Sequence, residues 1–183
     1  MTRAVLALSL AATGCKEPST APAPAPAIPH IAAPIAIDGE WTEPDWSARA
    51  LRGQFVGEDG QLARPSSEAR FLRDASTLYV GLYAADDDIR SSDAFELDIG
   101  SHAWTITATG EVRPPIAGAK IAFDRDGTLD DATNNDEEWV IELAVPLSAA
   151  GAHGRVHVRA SRCDTPKHQA QRCGQWAKEL DFE

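Results

Sequence analysis

Apolar residues in the middle and later parts of this chain recur at every second position, and that period admits little besides antiparallel sheet. Leu78, Val80 and Leu82 alternate with Tyr79, Gly81 and Tyr83. Phe95, Leu97 and Ile99 alternate with Glu96 and Asp98, and Trp104 and Ile106 with Thr105 and Thr107. Ile121 and Phe123 flank Ala122. Trp139, Ile141 and Leu143 alternate with Val140, Glu142 and Ala144, and Val156 and Val158 with Arg155, His157 and Arg159. Successive side chains of a strand point to opposite faces, so runs of this kind bury one face and turn the other outward. Turn-forming residues separate them at Asp74-Ala75-Ser76, Gly100-Ser101, Gly110, Asp126-Gly127 and Gly151 to Gly154. Many short strands with almost no helical periodicity predict an all-β antiparallel β-sandwich. One or two short helical turns are expected beside it. Thr42 can cap a turn through Glu43-Pro44-Asp45, and Leu147 to Ala150 can form another after Pro146.

The composition changes before Ile35. Arg3 precedes a short apolar run from Ala4 to Ala12, too short to span a bilayer. Ala12-Thr13-Gly14-Cys15 resembles a bacterial lipobox, which predicts a lipoprotein signal peptide over residues 1–14 and a lipidated Cys15. An ordinary signal peptide with an unmodified Cys15 is the alternative. Lipid chains hold a protein at a membrane without a spanning helix. Lys16 rather than Asp follows the cysteine, which favours sorting to the outer membrane of a bacterial envelope. Residues 15–34 read as a linker, because the APAPAPA run at Ala21–Ala27 favours extended polyproline II. Residues 35–183 are then one domain.

The chain has three cysteines. If Cys15 carries lipid, Cys163 and Cys173 remain, ten positions apart in an oxidising compartment, and a disulfide between them is expected. A zinc or redox pair is the alternative; the spacing is not C-x-x-C and no second pair completes a zinc site. The net charge of −11 argues against nucleic acid and against electrostatic adhesion to anionic lipid. It suits neutral sugars, cationic partners or calcium.

Three blocks, in order, carry more specific information: DGEWTEPDW (Asp38–Trp46), TLYVGLYAADDDI (Thr77–Ile89) and GTLDDATNNDEEWVIELAVPL (Gly127–Leu147). Together they resemble the family 9 carbohydrate-binding modules, a DOMON-like group with jelly-roll-like sandwiches. The resemblance spans Ile35 to Glu183 and implies a non-catalytic sugar-binding domain. Trp46, Trp139, Glu142 and Pro146 fall at positions that it marks as structural.

In the family's best-defined site two Trp side chains sandwich a terminal sugar. Trp176 matches one of them, with plain packing as its alternative role. The loop that would bring the other, Asp86 to Ser92, has no aromatic residue, which leaves Tyr83, Trp41 or Trp104 to complete the site. Arg159 and Arg162 are candidate donors to sugar hydroxyls, or else members of surface ion pairs. Related modules hold structural calcium, and Asp86, Asp88, Asp124 and Asp126 are the candidate ligands here; solvated hairpin tips are the alternative. No other cofactor is implied.

Enzyme motifs are absent from the sequence. No G-x-S-x-G elbow occurs, and His153 and His157 straddle a glycine turn and a strand. Met1 is the one methionine, so haem ligation through methionine has no candidate. The expected function is therefore a carbohydrate-binding lipoprotein of the cell envelope. An envelope adapter that binds a protein partner is the alternative, and a small hydrolase would need a converging acid pair in a deep cleft.

Overall fold

The computed structural model describes residues 24–183. The signal peptide 1–14, the lipidation site Cys15 and the linker up to Ala23 lie outside the described residues. Among the described residues eleven strands follow one another: β1 Leu51–Gln54, β2 Val56–Gly57, β3 Ser67–Arg73, β4 Thr77–Ala85, β5 Ala94–Ile99, β6 His102–Thr107, β7 Val112–Arg113, β8 Lys120–Asp126, β9 Glu138–Pro146, β10 Arg155–Asp164 and β11 Arg172–Asp181. Two short helices, α1 Pro44–Ala48 and α2 Leu147–Ala150, complete the order. Every alternating run named above falls within a strand. The α1 turn starts from Glu43 rather than Thr42, and no side chain caps it; Pro44 supplies the helical φ at its first position.

The strands form two antiparallel sheets. One has five strands in the order β1-β3-β4-β9-β8, the other six in the order β2-β11-β10-β5-β6-β7. Between them lies the main core, with Phe71, Val80, Leu82, Ile141 and Leu143 from one side and Phe95, Leu97, Ile99, Trp104 and Val158 from the other. Each such fully buried side chain contributes about 1.5–3 kcal/mol. Phe95 sits at the centre, edge-on to Phe55 at 5.9 Å and tilted against Trp139 at 4.8 Å. Cys163 and Cys173 lie directly opposite each other in the β10–β11 register and are joined by a disulfide.

A second, smaller core covers the outer face of the five-stranded sheet. Ile31, Ile35 and Trp46 pack there against Leu72, Tyr79 and Ala144. Packing onto the sheets begins ahead of Ile35, where the sequence suggested that the domain starts. Ile28 and Ile31 are buried, and the segment around them pairs with both sheets. Ala27 bridges to Asp181 and His30 to Arg73, with Ile31 N donating to Arg73 O at 2.8 Å and Arg73 N to Pro29 O at 3.0 Å. An extended Pro-rich strand has no internal hydrogen bonds, so its free amides and carbonyls can pair along a sheet edge. The described part of the expected linker is thus a strap that belongs to the domain.

Candidate functional site

The sequence offered six residues for a ligand site, Trp176, Tyr83, Trp41, Trp104, Arg159 and Arg162, and the structure brings Trp41 and Tyr83 together and separates the rest from them. Trp176 is a core residue. It points inward from β11, is 9% exposed, and stacks on Phe71 at 5.2 Å. Gly53 makes room for it, since a Cβ there would come within 2.5 Å of the indole. Of the two roles open to it, packing is therefore the one it takes. Trp104 is 3% exposed and faces the same core from β6. Arg159 lies on the outer face of β10 and is paired with Asp98 on β5 at 2.7 Å. Arg162 has the opposite parity on β10 and points inward. Arg159 borders a small cleft beside the disulfide, with Ser161 and Gln175; Tyr83 and Trp41 together border a larger one.

The four expected calcium ligands do not converge. Asp124 and Asp126 are exposed on β8. Asp88 is buried but tied to Arg90. Asp86 joins a different group, with Asp93 and Asp164, in which one oxygen of each lies within 4.8 Å of the others. Arg162 stands among them. Its Nη2 donates to Asp86 Oδ2 at 2.5 Å and to Asp164 Oδ1 at 2.7 Å, and Trp139 Nε1 donates to Asp86 Oδ2 at 3.1 Å. Burial pushes Asp93 up to about 6, against a hydrogen bond from the Arg90 amide and with the help of the Asp86 charge. Burial also pushes Asp164 up to about 6, opposed by Arg162 and aided by Asp86 and Asp87.

The Trp41–Tyr83 cleft lies on the outer face of the five-stranded sheet. Its floor follows from the register. Glu68 on β3 faces Tyr83 on β4, Tyr83 faces Val140 on β9, and Val140 faces Asp124 on β8. Trp41 closes the side. A Cβ at Gly81 would come within 2.6 Å of its Nε1, so only a glycine on β4 lets the indole lie against the sheet. The Arg70 guanidinium sits over the ring at 4.0 Å, and the Tyr83 ring is tilted against it at 6.1 Å. Arg70 is held in turn by Glu68 Oε1 at 2.7 Å.

Glu142 holds the loop that carries Trp41. It is fully buried, yet its carboxylate accepts from Asp38 N at 3.0 Å, Gly39 N at 2.9 Å and Trp46 Nε1 at 2.7 Å. Gly39 has φ +98° and passes so close to β8 that a Cβ would lie 2.7 Å from the Phe123 carbonyl carbon. The resulting cleft has a volume of about 460 Å³ and includes Glu40, Thr42 and Glu138 along its walls. Burial raises the Tyr83 hydroxyl to about 12, with the Glu138 carboxylate beside it as the next cause. At neutral pH Tyr83 is therefore a neutral phenol, able both to donate and to accept. The arrangement offers two partly open aromatic rings, a fixed guanidinium and several carboxylates: flat apolar surface flanked by hydrogen-bonding groups.

No protein-family model matches the chain, and no curated protein does. Solved structures do. A family 9 carbohydrate-binding module from Caldicellulosiruptor kristjanssonii in complex with cellotriose superposes with a TM-score of 0.60 at 11% identity, over 86% of this chain and 93% of that one. A family 9 carbohydrate-binding module from the same organism in complex with glucose gives 0.58 at 11% identity, over 85% and 94%. The chain has the fold of these modules.

Proposed function

We propose that this protein is a non-catalytic carbohydrate-binding module that meets its sugar at the Trp41–Tyr83 cleft. The observation that carries this reading is the cleft itself: Trp41 and Tyr83 border one cavity with Arg70, Glu68 and Glu138, on a fold whose solved neighbours hold glucose and cellotriose. A pyranose ring presents an apolar face to an aromatic side chain while its hydroxyls reach polar groups at the rim. The lipobox-like run before Cys15 supports a lipid-anchored module on a bacterial envelope, with the outer membrane as the destination that Lys16 favours. Cys15→Ser should then release the protein from the membrane fraction.

The sugar reading is tested with a glycan array on the full chain, followed by titration of the best ligand. One modest aromatic platform corresponds to a millimolar Kd, about −4 kcal/mol. Tyr83→Ala should abolish the titration while the melting curve is kept. Trp176→Ala tests the family's position directly. If it removes sugar binding in a chain that stays folded, the contact lies there and not at the cleft.

A further inference from the structure

The loop end of the sandwich holds an acidic cluster with the donors of a cation site but with its centre already taken. Asp86 follows β4, Asp93 precedes β5 and Asp164 ends β10. All three are buried, and oxygens gathered at 4.8 Å suit a hard divalent cation such as calcium. Arg162, 3% exposed, occupies that company instead. It gives Nη2 to two of the carboxylates and Nη1 to the Ala85 carbonyl at 3.3 Å, and its guanidinium lies over the Trp139 ring at 5.5 Å.

A divalent ion among these oxygens would sit beside a fixed positive charge in a poorly screened place. It would also have to take oxygens that the guanidinium already uses. The cluster is still short of full satisfaction, because Asp164 Oδ2 and Arg162 Nε are buried without a partner among the described residues. Three carboxylates face one guanidinium, so the group would respond strongly to the loss of that charge. We infer that Arg162 is the built-in cation of this cluster: its guanidinium takes the place of a divalent ion in tying together the ends of β4, β5 and β10, and its removal uncovers a calcium-class site made by Asp86, Asp93 and Asp164.

The full chain tests this by melting in EDTA and in millimolar calcium chloride, and by terbium luminescence. The wild type should melt at the same temperature in both solutions. Arg162→Ala should melt lower in EDTA and recover by several degrees with calcium. It should also bind terbium with luminescence sensitised by Trp139, whose indole touches Asp86, and Asp164→Asn in the same background should abolish that signal. Arg162→Lys keeps a positive charge without the fork; it should fold with a lower melting temperature and stay indifferent to calcium. A wild-type melting temperature that rises with calcium overturns the assignment. So does an Arg162→Ala chain that folds and ignores the ion, or an Arg162→Lys chain that requires it.

Discussion

Glu142 and the Asp86–Asp93–Asp164 group are both negative charge buried in a small sandwich, and they are stabilised in opposite ways. Among the described residues Glu142 has no cationic partner. Three N–H groups converge on its two oxygens, and this opposes the upward push that burial gives its pKa. The aspartate group has a guanidinium at its centre but leaves polar atoms unmatched, and two of its members hold protons up to about pH 6. Saturated hydrogen bonding fixes one loop in one place. Unsaturated charge compensation ties several strand ends together but leaves them sensitive to protons and ions.

The sharpest way to break this comparison is Glu142→Ala. Three buried or part-buried donors would lose their acceptor at once, and the fold should lose about 3–5 kcal/mol in chemical denaturation. The Asp38–Trp46 segment would come free, so sugar binding at the cleft should vanish with it. Glu142→Gln keeps an acceptor oxygen and should cost less than half as much.

Next in size is the Cys163–Cys173 bond beside the aspartate group. Cys163→Ser should destabilise by about 2–3 kcal/mol through the freed unfolded chain, read as a drop of several degrees in the melting temperature. Alkylation of the native protein should find neither Cys163 nor Cys173 as a free thiol.

Asp93→Asn should act in the opposite direction to both. A carboxylate whose folded pKa is raised binds its proton more tightly in the native state. Stability therefore rises as pH falls from about 6 towards the ordinary value of 3.8 and is lowest above that window. The wild type should be more stable near pH 5 than at pH 7. Asp74 and Asp130, held below their ordinary range by hydrogen bonds, should turn the curve down only below about pH 4. Asp93→Asn should flatten the slope between pH 5 and 7 and gain about 1–2 kcal/mol at pH 7. A melting temperature independent of pH in that window would remove the proton sensitivity assigned to the group.

The smallest effect on stability should come from Tyr83→Phe. It removes a half-buried hydroxyl beside Glu138 and should change stability by less than about 1 kcal/mol. Sugar affinity should nevertheless fall, because the ring remains and one hydrogen-bonding group is gone.

Period two made the sandwich legible before any coordinates, because strands β4, β5, β6 and β9 carry large apolar residues on one parity. Strand β3 was missed: its inner face is Ser67, Ala69 and Phe71, with one large side chain among them. Strand β11 was missed too, since Arg172, Lys178 and Glu179 mask Trp176 and Leu180. The inward turn of Arg162 follows from its parity, which it shares with Val156, Val158 and Ala160; a charged side chain at such a position goes against the usual exposure of arginine. The cleft could not be read. It depends on the register of four strands and on a loop from position 41 landing over position 81, and no local pattern encodes such long-range placement. The strap was hidden for a different reason, because polyproline composition looks the same whether a segment is free or laid along a sheet edge.

That strap has a mechanical consequence. It is pinned to β11 at Ala27 and to β3 at His30, one strand from each sheet, and Ile28 and Ile31 are sunk between and behind them. Any pull on the chain upstream of Pro24 reaches these few bonds before it reaches the rest of the sandwich. A load applied there meets the strap's own contacts, Ile28 in the main core among them, before it meets the pairing of the two sheets.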